Sequence, residues 1–148
     1  MFFWFVGTVI GSVWFIFRDP EFSYRYVIVG AVLPDAVELW FGQAGPLHSV
    51  VTSVVLLSVV MFATIGARPR RKRWLAFVIG LFMHLIFDGA FLNTKMFWWP
   101  LSGLSFSGAS VPSVSRGWWN VPMEIAGVAM ILWWTNAHSH PPRQDSSQ

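Results

Sequence analysis

Two ionisable residues stand four apart inside an apolar run, His84 and Asp88 in GLFMHLIFDGAFLNTKMFWWP, Gly80 to Pro100. On a helix, residues i and i+4 lie one above the other on a single face. An imidazole and a carboxylate in oily surroundings are costly unless something binds them. Three more residues of the same kind lie upstream. Asp35 and Glu38 are three apart in YVIVGAVLPDAVELWF, and His48 opens a Val- and Leu-rich run. Two imidazoles with two or three carboxylates form an N/O donor set for a divalent cation. Zinc is the expected metal by ligand type, with manganese and iron as the other metals that suit such donors. A catalytic ion keeps one position for water, whose pKa it lowers toward neutrality.

The expected ligands are Asp35, His48, His84 and Asp88. Glu38 is a further ligand, a partner behind a ligand, or the general base. Lys95 lies about two turns beyond Asp88 on a continued helix, and can take an anionic group such as phosphate. Plainer roles compete. Asp35 after Pro34 can cap the helix that follows. Glu124, after Pro122, can sit in the first turn of its own helix, where the macrodipole favours an acid. Lys95 and Arg116 can be anchors whose charges snorkel to an interface.

The elements that would position these groups are read from hydropathy. Of the 148 residues, 55% are hydrophobic and 11% charged, and the mean hydropathy is +0.54. A soluble domain carries about 25% charged residues. A chain of this length has little core in which to hide so much apolar surface, so lipid is the expected solvent and a bilayer the expected partner. The absence of cysteine excludes disulfides, iron–sulfur clusters and thiolate zinc sites. Five of the ten basic residues fall in RPRRKR, Arg68 to Arg73. That cluster reads as an orientation signal, and no nucleic-acid partner is expected.

The pattern predicts an all-α, polytopic membrane bundle of about five apolar segments: Met1–Phe17, Tyr26–Phe41, Leu47–Ala67, Trp74–Leu92 and Val121–Thr135. Pro20 ends the first. Leu33-Pro34 breaks the second, because a proline inside a helical pattern kinks or stops it. Gly42 to Pro46 is a turn, and Asn93–Gly117 is a Ser/Gly-rich connection flanked by Trp pairs. The single domain covers 1–135, and a polar tail from Asn136 is expected to be disordered. With the N-terminus outside, eight basic residues fall on the cytoplasmic side with the C-terminus and two, Lys95 and Arg116, fall outside. That topology makes the chain a multi-pass protein of the cell membrane. It places Asp35, Glu38, His48, His84, Asp88 and Glu124 in one leaflet.

Gly30-Ala31-Val32-Leu33-Pro34-Asp35, then Leu47-His48-Ser49, then Gly80 to Asp88 as G-x-x-x-H-x-x-x-D, then Trp98-Trp99-Pro100, resembles the membrane-bound metal-dependent hydrolases. That family includes LexA-binding, inner-membrane hydrolase-type members and is distantly similar to zinc-dependent phospholipase C. The likeness covers about half the chain, Gly30 to Leu101. It implies hydrolysis of a phosphoester, including one in a lipid, and metal roles for Asp35, His48, His84 and Asp88. The chain departs from the pattern in having no histidine in Met1–Val29 and Val37 where a second acid is common, with Glu38 beside it. It also lacks the extra histidine before His48. One metal therefore fits the sequence better than two or three. Two other readings use the same residues, namely a transporter or channel-like protein relaying protons or ions, and a scaffold with a structural metal.

Overall fold

The computed structural model describes residues 1–19, 21–41, 45–105 and 116–138. Six α-helices account for most of them: α1 Phe2–Phe17, α2 Tyr24–Phe41, α3 Val50–Ala63, α4 Arg68–Phe87, the short α5 Thr94–Phe97, and α6 Asn120–His138. Three 3-10 turns join them, at Pro46–His48, Ala90–Leu92 and Gly117–Trp119. The all-α expectation stands among these residues, which include no strand.

The membrane-spanning expectation does not stand. Among the described residues no helix is long and apolar enough to cross a membrane. At 1.5 Å per residue, the 16 residues of α1 reach about 24 Å, short of the roughly 30 Å of a hydrocarbon core. The 14 residues of α3 reach less. Helix α4 has 20 residues, but RPRRKR forms its opening turns instead of a loop before it. Pro69 is tolerated there because the first N–H groups of a helix have no partner in any case. Helix α2 carries Arg25, Asp35 and Glu38. The multi-pass bundle, the inside and outside loops, and the common leaflet fall together with the spans.

Other boundaries move too. Helix α2 runs on through Pro34 to Phe41, so the segment is not broken there and Asp35 lies inside the helix and not at its start. Helix α4 stops at Phe87, with Asp88 as its C-cap and Gly89 in the left-handed region at φ +66°. Gly80–Pro100 is therefore a helix end, a turn and a short helix. Residues 136–138 belong to α6, while 139–148 of the expected tail lie outside the described residues, as do Pro20 and residues 42–44 of the expected turn.

Helix α2 packs along α4, α1 along α6, and α1 and α3 flank the α2–α4 pair. The α2–α4 crossing is made by backbone. A Cβ on Gly80 would stand 2.0 Å from the Val27 carbonyl oxygen, and one on Gly30 would stand 2.0 Å from that of Phe77. At the crossing, Val9, Val13, Val27, Ala31 and Ala76 form a buried core cluster. Glu124 does not serve its own helix. Its carboxylate accepts from the Phe3 N–H at 2.8 Å and meets the N-terminal ammonium at 3.0 Å, at the start of α1. That is where unpaired N–H groups and the positive end of the dipole favour an acid.

Candidate metal centre

One ligand atom each from Asp35, His48, His84 and Asp88 falls within 4.8 Å of all the others, and all four residues are buried. Each comes from a different setting. Asp35 lies one turn beyond Ala31 on α2. His48 closes the 3-10 turn before α3. His84 lies in the last turn of α4, and Asp88 caps that helix with its N–H on the His84 carbonyl at 2.8 Å. The close α2–α4 crossing matters here. Val27 touches the Gly80 position, so one turn further along both helices Ala31 meets His84. The Ala31 carbonyl oxygen lies 2.7 Å from His84 Nδ1.

That contact decides the tautomer. A carbonyl only accepts, so His84 Nδ1 carries the proton, and the neutral ring turns an Nε2 lone pair toward the cluster. His48 is held in the same way. Its Nδ1 lies 2.6 Å from Glu38 Oε2, so Nδ1 donates and Nε2 faces inward. Glu38 is itself fixed. Oε1 accepts from Leu47 N–H at 2.7 Å, and Oε2 accepts from Gly45 N–H. Histidines that bind metals characteristically donate their other ring N–H to a carboxylate or carbonyl in this manner. Phe5 packs on the His84 ring at 4.2 Å between centroids.

The distances test whether these donors fit one ion. Tetrahedral zinc with bonds of about 2.0–2.2 Å has ligand–ligand edges of roughly 3.3–3.6 Å. His48 Nε2 and His84 Nε2 are 3.2 Å apart. His48 Nε2 lies 3.6 Å from Asp35 Oδ1 and 3.4 Å from Asp88 Oδ2, and His84 Nε2 lies 3.5 Å from Asp35 Oδ1. Neither carboxylate oxygen of Asp88 makes a hydrogen bond among the described residues, although both are buried. Four of the six separations lie near these edges, and the buried Asp/His group can hold a divalent metal ion.

The two imidazoles are driven in opposite directions. Burial favours the neutral form of His48, but the carboxylates of Asp35, Asp88 and Glu38 around it outweigh burial and push its pKa up to about 11. Burial lowers that of His84, and neighbouring His48 adds to the lowering against the pull of Asp35 and Asp88. Without a metal, then, one proton held by His48 sits between the carboxylates that an ion would bind.

Compared with protein-family models, curated proteins and solved structures, the chain matches none. The centre is therefore read from its own geometry. All four expected ligands come together. Glu38 joins them from outside, behind His48. Lys95 does not join: it is exposed on α5, because the helix ends at Phe87 and the turn carries the chain away. Three participants were not read from the sequence. The Ala31 carbonyl had a signal in Gly30 and Gly80, the small residues that let two backbones touch. Ser49 caps α3 through Val51 N–H at 3.1 Å, and its Oγ lies 2.5 Å from the Trp99 carbonyl oxygen. That ties the turn holding His48 to the segment after α5. Arg116 is the third. It is not a snorkelling anchor, because Nη1 stands 3.3 Å from Asp88 Oδ1 and Nη2 donates to the Asp88 carbonyl.

Proposed function

We propose that the chain is a metal-dependent hydrolase with a single zinc ion at Asp35, His48, His84 and Asp88. The observation that carries this reading is the convergence of two Nε2 atoms and two carboxylates within 4.8 Å of one another, with both Nδ1 atoms already committed to acceptors. An ion bound there supplies a water acidified toward neutral pH and a Lewis acid for the bond to be cleaved. The chain's own groups do the rest. Ala31 and Glu38 fix the tautomers, so metal binding at neutral pH requires only the His48 Nε2 proton to leave. Glu38 has donors on both oxygens and acts by orienting His48. The phosphoester substrate class rests on the sequence resemblance.

A second reading is favoured by one observation. All four candidate ligands are buried protein side chains, the number and burial found in structural zinc sites. Metal analysis of the purified chain tests the shared part of both readings. About one equivalent of zinc is expected, falling to background in His84→Ala and Asp88→Ala, and unchanged content in those variants refutes the site. Zinc-dependent hydrolysis of bis(p-nitrophenyl) phosphate, lost in the same variants, separates the catalytic ion from the structural one. A zinc-loaded chain that never turns this ester over refutes the hydrolase.

A further inference from the structure

We propose that Arg116 is the anion receptor of this centre, so that its substrate carries a phosphate-like group bridging the ion and the guanidinium. This rests on the reading that the four ligands hold a divalent ion. Among the described residues Arg116 is the basic side chain that touches the cluster, and it does so at the rim. The Arg116 side chain keeps 23% of its exposure while that of Asp88 keeps none. The carboxylate of Asp88 is divided between the two. Oδ1 faces Arg116 at 3.3 Å and Oδ2 faces His48 Nε2 at 3.4 Å. Asp88 therefore turns one oxygen toward the cluster and the other toward the guanidinium at the rim.

The guanidinium has capacity to spare. It offers five N–H donors in a planar fork that matches phosphate. One is spent on the Asp88 carbonyl, while Nη1 faces Asp88 Oδ1 at 3.3 Å and the thioether of Met1 at 3.4 Å. A thioether is a weak acceptor, so a phosphate oxygen replaces it at little cost. Charge points the same way. The carboxylates of Asp35, Asp88 and Glu38 are balanced by a divalent ion together with Arg116. Without Arg116 the loaded centre is net negative and repels an anion.

The test loads the full chain with Co(II), whose visible spectrum reports its ligands, and titrates inorganic phosphate. The wild type is expected to bind one Co(II) and to change spectrum with phosphate. Arg116→Ala should keep its Co(II) and lose at least tenfold in phosphate affinity, and Arg116→Lys should fall between the two. Unchanged phosphate affinity in Arg116→Ala overturns the proposal. So does loss of Co(II) from that variant at saturating metal, which would make Arg116 a support for Asp88 alone. Should Arg116→Ala fail to fold, Arg116→Lys decides, because wild-type affinity in it removes the need for the fork. A wild type that binds no Co(II) refutes the metal reading. One that binds Co(II) but ignores phosphate refutes only the anion receptor.

Discussion

Substituting Gly80 by alanine adds one methyl group a full turn before His84 on α4, and its effect can be followed to the centre. The new Cβ would stand 2.0 Å from the Val27 carbonyl oxygen and 3.0 Å from the Ala31 nitrogen. Ordinary contact begins near 3.4 Å, and backbone cannot swing aside as a side chain can. Helices α2 and α4 must therefore part by about 1 Å. Overpacking of this kind costs roughly 1–3 kcal/mol, which lowers the melting temperature of a domain this size by about 4–8 °C for a mid-range cost. The same separation lengthens the His84 Nδ1 to Ala31 O contact from 2.7 Å to beyond about 3.5 Å, where it is no longer a hydrogen bond. Losing such an orienting partner costs about 10–100-fold in metal affinity. Thermal melts followed by zinc competition titrations measure both effects. Gly11→Ala is the control, because a Cβ at that helical position meets nothing within 4 Å. It should leave zinc affinity unchanged and raise stability by about 0.5–1 kcal/mol. Wild-type zinc affinity in Gly80→Ala would refute the claim that the helix crossing positions His84.

Three further outcomes are expected. Glu38→Gln removes the charge behind His48 and should weaken zinc binding about 10–100-fold by competition titration, with helicity retained. For pH, His48 is raised above its unfolded value, so its contribution to the metal-free fold is present below about pH 6.5 and lost as pH rises through about 11. His84 is lowered, so its contribution is present above about pH 6.5 and lost as pH falls below it. Metal-free stability from this pair should therefore peak near pH 6.5 and fall on either side in urea titrations. Calorimetric zinc titrations in two buffers near pH 7 should count about one proton released per ion. Ser49→Ala removes the α3 cap and the tie to Trp99, and should cost about 0.5–2 kcal/mol in urea denaturation.

The centre was more legible in the sequence than the fold around it. His84 and Asp88 at helical spacing, His48 at the mouth of an apolar run and Asp35 after a proline are local signals, and all four converge. What failed was the inference from composition to membrane-spanning helices. Composition counts apolar residues but not how they are divided among elements. Arg68–Arg73 spends the opening turns of α4 on charge, and the α1 run reaches only 16 residues. Pro34 shows a second limit. Loss of one N–H and a clash with a carbonyl weaken a helix, yet packing against α4 carries α2 past it to Phe41. Arg116 was illegible because its partner lies 28 positions away, across a connection whose path no local rule sets.

The four ligands are strung from Asp35 to Asp88 in a chain that has no cysteine. An ion held by all of them would act as a removable cross-link around a loop of about 50 residues. By the chain-entropy relation used for disulfides, closing such a loop is worth about 4 kcal/mol, much of a small domain's stability of roughly 5–15 kcal/mol. The chelator that empties the centre would then also loosen α2, α3 and α4 from one another. Metal supply would set how long the folded chain lasts as well as what it does.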